Sequence, residues 1–399
     1  MARFKSGWWV VFAAFMGLVV GNGPILQFSF SVFLRPLAEE FGADRATLSS
    51  AIFVGFFATA LTTLVFGRLV DRYGIRTVTL PAIVLFALSI AALGLSPASA
   101  YVFIALYGIA GLFAGGQTPL PYAKAVAGTF DARRGLALGV AMTGVGLGTI
   151  LIPQLAQQLI STLGWRGAYV GLGAAVFLIA FPAVYLFLRD PIAAAQQEHV
   201  EVAGETAGEA ASTTRFWNMA FVFFALVCAA AGVFAHIVPI LTDRGISPAL
   251  ATGAIGAGGA GLILGRLLAG YLLDRIFAPY VALVFIVVTL AGLTLLLLPA
   301  TPALAIAAII CVGFGLGAEV DLMAFMIARY FGFRSFGEIY GYLFALFMFG
   351  SGLGPFVMGW SFSTTGSYRV AIIGFGLGLV VSALLVFLLG PYRYATLQK

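Results

Sequence analysis

The 399-residue chain carries 21 Lys+Arg and 15 Asp+Glu, 9% of its residues, and 62% of it is hydrophobic; a typical soluble domain is roughly 25% charged. So few charges cannot cover a water-soluble fold of this size, so lipid is the expected solvent for most of the chain. The net charge of +6 does not point to nucleic acid, because its distribution follows membrane topology. Twelve apolar stretches of about 19 to 27 residues succeed one another at 8–34, 46–70, 77–95, 101–127, 136–160, 167–188, 216–241, 249–273, 279–299, 302–328, 338–362 and 368–390. Each is long enough to cross a roughly 30 Å hydrocarbon core as a helix. Nothing alternates with period two over the lengths that barrel strands need. The first stretch runs too long for a cleaved leader and is read as a retained helix.

The expected fold is an all-α membrane protein of twelve transmembrane helices in two pseudo-symmetric six-helix bundles, 1–188 and 216–399, joined by a cytoplasmic linker, 189–215. The linker's acidic, Ala-rich run (Glu198, Glu201, Glu205, Glu209) reads as solvated. With the N-terminus inside, fifteen Lys and Arg fall on the cytoplasmic side and five outside, with Arg266 inside a span. That bias places both termini in the cytoplasm of a cell (inner) membrane. An internal repeat accompanies the division. Gly67-Arg-Leu-Val-Asp71-Arg72 recurs as Gly270-Tyr-Leu-Leu-Asp274-Arg275 at a displacement of 203, and Arg166 with Ala168 recurs as Arg369 with Ala371 at the same displacement. Six spans per half give both copies one orientation, an arrangement whose substrate site lies at the interface near the midplane.

The segment Gly67-Arg-Leu-Val-Asp71-Arg72-Tyr-Gly74-Ile-Arg76 resembles the loop 2–3 signature of the major facilitator superfamily. The segment Phe130-Asp-Ala-Arg133-Arg134-Gly135-Leu-Ala-Leu-Gly139-Val-Ala-Met-Thr-Gly144 is similar to the helix-five signature of the monocarboxylate porter family, with a fainter echo in Gly7-Trp8-Trp9. The resemblance implies a carrier of small carboxylates (lactate- or pyruvate-like) working by alternating access, commonly with proton symport. Arg266 and His236 match positions that carboxylate-binding members use, and Phe28 stands where animal members place a Lys in helix one. Leu262 replaces an Asp one turn before the helix-eight Arg, and Phe347 stands where oxalate/formate exchangers carry a second cation.

The polar residues at membrane depth supply the candidate site. Arg266 lies about eight residues, ~12 Å, from the inner end of its span. Its planar fork suits a carboxylate, and the competing reading is an ion pair with Glu319 or Asp321. Those two carboxylates are candidates for proton coupling or for gating salt bridges. His236 is a candidate donor to substrate or proton acceptor, or a hydrogen-bonded helix-end residue. Asn22, Gln27 and Gln117 either line the cavity or bond helix to helix. Gly23-Pro24 and Pro119-Leu-Pro121 break their spans, which is tolerated only in packed or water-lined places. Asp71, Arg72, Arg76, Asp274 and Arg275 are the gating candidates at the cytoplasmic rim, where an Asp can face the positive end of a helix.

The run Gly256-Ala-Gly258-Gly259-Ala-Gly261 spells a dinucleotide fingerprint but lies inside a span with no strand before it. No phosphate loop, zinc motif or nucleophile elbow occurs in the sequence, so the expectation is a non-enzyme without ATP, cofactor, metal or catalytic residues. The expected partners are a small organic anion, a proton and the bilayer. A single intramembrane Arg favours a monocarboxylate, and the many Phe favour an apolar pocket around it. The alternatives are an oxalate/formate-type exchanger, an efflux carrier of a hydrophobic compound, or, from another class, a receptor or channel.

Overall fold

Inside hydrocarbon a backbone must satisfy its own N–H and C=O groups, so each apolar run becomes a helix. The computed structural model describes residues 7–130, 134–189, 204–273, 275–298, 301–332 and 334–394, with the side chains of 64, 71, 134 and 135 outside that description. The first crossing comprises α1 (Trp8–Val19), a π-helical segment (Gly23–Phe28) and α2 (Phe30–Phe41). The next two crossings are α3 (Arg45–Tyr73) and α4 (Ile75–Gly94). The fourth is α5 (Ala100–Ala114), a 3-10 turn (Gly115–Gln117) and α6 (Pro119–Ala127). After α7 (Arg134–Phe187) and a short α8 (Ala207–Ala211), the second half follows as α9 (Thr214–Thr242), α10 (Pro248–Leu273), α11 (Ala278–Leu297), α12 (Pro302–Tyr330), α13 (Phe336–Thr365) and α14 (Arg369–Phe387).

Among the described residues eleven helices are long and apolar enough to cross a membrane, one of them the 52-residue stretch Leu136–Phe187. At 1.5 Å per residue that stretch would measure ~78 Å, far more than a bilayer core. It turns instead at Gly164, whose φ of 71° and ψ of 172° lie outside helical space, a conformation that favours a residue without Cβ. Its two limbs bring the crossings to twelve, an even number, so the chain begins and ends on one side. We call that the terminal side and the other the distal side. The first span runs on past the expected residue 34 to Phe41, where α2 projects with the ion pair Arg35–Glu39 at 2.9 Å. Asp44 caps α3 by accepting from the Thr47 N–H at 2.9 Å, and hydrogen bonding from the Thr47 side chain and then from this N–H holds its carboxyl below the ordinary carboxylate range.

The linker is not uniformly solvated. Glu198 and Glu201 lie outside the described residues, whereas Glu205 and Glu209 have structural partners. Thr206 and Glu209 form a capping box at the start of α8, each satisfying the other's backbone N–H. Glu205 donates its N–H to the Phe331 carbonyl at 2.8 Å and pairs through its carboxylate with Arg393. The N–H groups of Arg393 and Tyr394 donate in turn to the Arg329 carbonyl, at 3.2 and 3.1 Å.

Glycines set how closely the helices pack, and the contacts repeat between the halves. Gly144 and Gly148 of α7 lie against the Phe15 and Val19 carbonyls of α1, while Gly350 and Gly354 of α13 lie against the Phe224 and Cys228 carbonyls of α9. Likewise Gly111 of α5 meets Gly55 of α3, and Gly313 of α12 meets Gly258 of α10. Without an attraction of oil for oil to drive association, such close backbone approach supplies the dispersion contact that holds membrane helices together. The halves meet along α3 with α13 and along the first limb of α7 with α10: a Cβ on Gly352 would lie 3.1 Å from Phe53 Cα, and one on Gly256 would lie 3.1 Å from Gln154 Nε2.

A Cβ on Gly313 would sit 2.7 Å from the Gly258 carbonyl carbon, whereas one on Gly253 would meet nothing within 4 Å. Gly313→Ala is therefore expected to destabilise the protein by roughly 1–3 kcal/mol, the range of overpacked cores. Gly253→Ala is expected to be neutral or slightly stabilising. Thermal unfolding of the two variants in one detergent checks the contrast.

Candidate functional site

Arg266 is the single buried cation among the described residues, 8% exposed. It sits seven residues before the end of α10, about 10 Å into the helix, too deep for its charge to reach water easily. The surrounding helices provide partners. Arg266 Nε donates to Asp321 Oδ2 of α12 at 3.1 Å, and Nη1 donates to the backbone carbonyl of Met142, in the first limb of α7, at 2.8 Å. A cation of the second half is thereby bonded to the backbone of the first. Nη2 has no hydrogen-bond partner among the described residues. Asp321 is the partly exposed member of the pair, 39% against 8% for Arg266.

The sequence left Glu319 and Asp321 as equal partners for this cation. The structure pairs Asp321 with it and turns Glu319 away, because two residues on a helix differ by about 200° in direction. Glu319 is fully buried, and neither carboxylate oxygen has a hydrogen-bond partner. A bare ionised carboxylate in such a place carries a penalty of several kcal/mol.

A cavity of about 590 Å³ opens on the terminal half between α3, α6 and α13, lined by Thr63, Gly67, Leu120, Pro121, Tyr340 and Phe344 among others. Tyr340 and Phe344 of its α13 wall belong to a row of rings along that helix: Phe336 to Tyr340, Tyr340 to Phe344 and Phe344 to Phe347 have ring centroids 6.1, 5.7 and 5.6 Å apart and planes within 20° of parallel. Tyr340, which lines the cavity, also lies within electrostatic range of both Asp321 and Arg266. These aromatics were missed in the sequence. Their one signal is the spacing of Phe336, Tyr340 and Phe344 at four residues, with Gly337 and Gly341 between them.

The distal side is closed by a second network. Arg45, at the start of α3, holds Asp243 bidentately at 2.6 and 3.0 Å and lies 3.9 Å over the Phe362 ring. It also donates to the Tyr368 hydroxyl at 2.5 Å, which lies 3.2 Å from His236 Nδ1. His236 Nε2 lies 3.0 Å from both the Pro355 carbonyl and Ser49 Oγ. A carbonyl only accepts, so this geometry assigns the ring proton to Nε2 and makes Nδ1 the acceptor from Tyr368. His236 thus bridges α9, α3 and α13, fully buried. By helix rise it stands on the order of 18 Å from Arg266 along the membrane normal, so the two are not brought together in this state. Arg45, Asp243, Tyr368 and Ser49 have no sequence signal, since their partners lie up to 323 residues apart.

The two proline-broken segments meet. A Cβ on Gly21 would lie 3.1 Å from the Gln117 carbonyl, setting the break in the first crossing against the 3-10 turn of the fourth. Gln117 accepts from Tyr122 at 3.1 Å, Gln27 accepts from Ser351 of α13 at 3.0 Å, and both amide nitrogens are buried without a partner. Asn22 is buried at the break, and Phe28 packs edge-on against Phe234 with ring centroids 4.9 Å apart.

Residues 7–334 match the family model of the Major Facilitator Superfamily. The chain belongs to this superfamily. It is 28% identical over 314 residues to YcxA, an uncharacterized MFS-type transporter of Bacillus subtilis (strain 168), covering 74% of this chain and 72% of the relative. It is 26% identical over 389 residues to monocarboxylate transporter 13 of Bos taurus, covering 94% and 88%. The fold is shared with the crystal structure of a bacterial homolog to the human lysosomal transporter Spinster in an inward-facing and unoccupied conformation, at a TM-score of 0.75, 18% identity and coverage of 98% and 97%. The chain is accordingly a multi-pass membrane transporter of the major facilitator superfamily.

The superfamily signature and its second-half copy sit at the terminal rim. Asp274 and the side chain of Asp71 lie outside the described residues. Arg76 donates to the Tyr185 carbonyl at 2.6 Å, Arg72 faces the Tyr73 ring at 5.2 Å and Arg275 lies 3.8 Å over the Tyr271 ring. Each of these contacts stays within its own half, whereas the distal network crosses between halves. A transporter of this superfamily held by that network should open distally when Arg45 loses its partner. Asp243→Asn is expected to weaken closure by about 1 kcal/mol, as for a half-exposed pair, roughly a fivefold population shift. Thiol labelling of Ser49→Cys in a Cys228→Ala, Cys311→Ala background should speed up accordingly, and an unchanged rate would remove Arg45–Asp243 from the closure.

Proposed function

We propose that this transporter carries a small monocarboxylate by alternating access with proton symport, in the cell (inner) membrane with both termini cytoplasmic. The observation that carries the reading is Arg266, one buried cation whose carboxylate partner, Asp321, is itself partly exposed. A substrate carboxylate reaching the open edge of the guanidinium competes with Asp321. Both carboxylates ionised on one guanidinium would leave an excess negative charge at membrane depth, which a proton neutralises. Proton and anion then bind together, and by linkage each raises the affinity for the other. Glu319, buried and without a partner, is the second group suited to hold that proton. The similarity to monocarboxylate transporters and the excess of Lys and Arg on the terminal side support the substrate class and the orientation. The distal closure speaks for a carrier over a channel, which needs a continuous polar path.

In the state described, Arg72, Arg76 and Arg275 rim the open side and His236 belongs to the closed side, and from the sequence Asp71 and Asp274 are proposed to act with that rim. Alternating access requires these roles to exchange, with the rim closing as the Arg45–Asp243–Tyr368–His236 network opens. Asn22, Gln27, Phe28 and Gln117, at the breaks between, are placed to meet a substrate halfway.

Arg266→Lys should impair transport nearly as much as Arg266→Ala, because an ammonium keeps the charge but loses the fork. Losing one hydrogen bond to a charged group, about 1.5–3 kcal/mol, corresponds to roughly a ten- to hundredfold fall in kcat/KM. Near wild-type uptake by a folded Lys variant sinks the forked contact. Proton coupling is read separately, as uphill accumulation in proteoliposomes under an inward proton gradient. Wild type should accumulate substrate, while Glu319→Gln or Asp321→Asn should retain exchange but lose accumulation. Exchange without accumulation in wild type replaces symport by anion exchange.

A further inference from the structure

We infer that the preferred substrate is an aryl monocarboxylate, a flat ring bearing one carboxylate, rather than a two- or three-carbon acid. The inference rests on the proposed role of Arg266 for its charged end, and the cavity supplies the rest. Its volume of about 590 Å³ falls within the roughly 300–1,000 Å³ of sites that enclose drug-sized ligands, far more room than a lactate-like molecule fills. One wall presents Tyr340 and Phe344, the middle of a ladder of near-parallel rings, Phe336 to Phe347, spaced about one helical turn apart. Across from it the α3 and α6 walls carry Thr63, Phe66, Leu120 and Pro121 together with Arg68 and Lys124, and a Cβ on Gly67 of α3 would meet only Leu120 Cδ2 at 3.8 Å.

A strip of rings facing open space is a slot for a planar apolar body, and aromatic pairs gain from their quadrupoles beyond the area they bury. The ladder also has a direction. Tyr340 is the ring that feels Arg266 and Asp321, and Phe344 lies one turn deeper. A ligand whose carboxylate holds Arg266 Nη2 lays its ring against Tyr340 and Phe344, with Thr63 and Pro121 across the slot. Charge at one end and a flat apolar body at the other describe arylacetates and their 2-oxo and propionate relatives. A short aliphatic acid reaches the cation but leaves the ladder uncovered.

The test is counterflow with the full chain in proteoliposomes, using phenylacetate, cyclohexylacetate, propionate and 2-phenylethanol. Phenylacetate should show a KM at least tenfold below that of propionate and at least threefold below that of cyclohexylacetate. Tyr340→Leu and Phe344→Leu, which keep apolar bulk, should raise the phenylacetate KM at least fivefold relative to the propionate KM. Equal KM values for phenylacetate and propionate overturn the inference while leaving the carboxylate reading intact. So does equality of phenylacetate with cyclohexylacetate, a comparison made on wild type and independent of how the variants fold. Exchange of 2-phenylethanol with no exchange of any acid overturns the carboxylate reading and keeps the aromatic slot. Exchange of none of the four overturns both.

Discussion

Hydrocarbon offers a polypeptide no hydrogen-bond partner, and the rest of this structure follows from that constraint. Every crossing is helical because no other open-ended conformation satisfies its own backbone. Helices in lipid gain nothing by hiding apolar side chains from a solvent that is itself apolar, so their association depends on close contact. The glycine pairs Gly55 with Gly111 and Gly258 with Gly313 bring backbones together where a methyl group would force them apart. The same close packing leaves few places for a polar side chain, and some of those that remain join the two halves, as Gln27 with Ser351 and Ser49 with His236 do.

Two guanidinium groups mark that meeting. Arg45 reaches from the first half to Asp243 and Tyr368 of the second, and Arg266 reaches from the second half to Met142 of the first. Their surroundings differ. Arg45 donates to a carboxylate and a phenol and lies over a ring face, whereas Arg266 donates to one carboxylate and one backbone carbonyl. The difference follows from the partners around each, since the side chain is the same.

The transmembrane architecture was legible because it depends on composition and length: twelve apolar runs and the repeat all appear in one dimension. Arg266 was legible too, since a cation in an apolar run stands out without knowledge of its partners. The partners were not. Whether Asp321 or Glu319 meets Arg266 depends on helical phase relative to α10, which the sequence fixes only once the helices are docked. His236 was visible as a polar residue near a helix end, but its bonds to Pro355, Tyr368 and Ser49 join segments 119, 132 and 187 residues away. The aromatic ladder hid among 37 Phe, where a four-residue spacing has little contrast. The folded end of the linker hid behind an acidic composition, although Thr206 and Glu209 spell a helix start.

The bond from Arg266 to the Met142 carbonyl has a further consequence. Because its acceptor is main chain, no replacement of the Met142 side chain abolishes it, and only translation or rotation of one helix past the other breaks it. The guanidinium therefore gauges the spacing of α7 and α10 independently of which side chains line them. A helical carbonyl already engaged along its own ladder loses little when the gauge is released, while the guanidinium regains a free N–H. Rigid-body displacement is in this way converted into a change in hydrogen-bonding valence at one buried group.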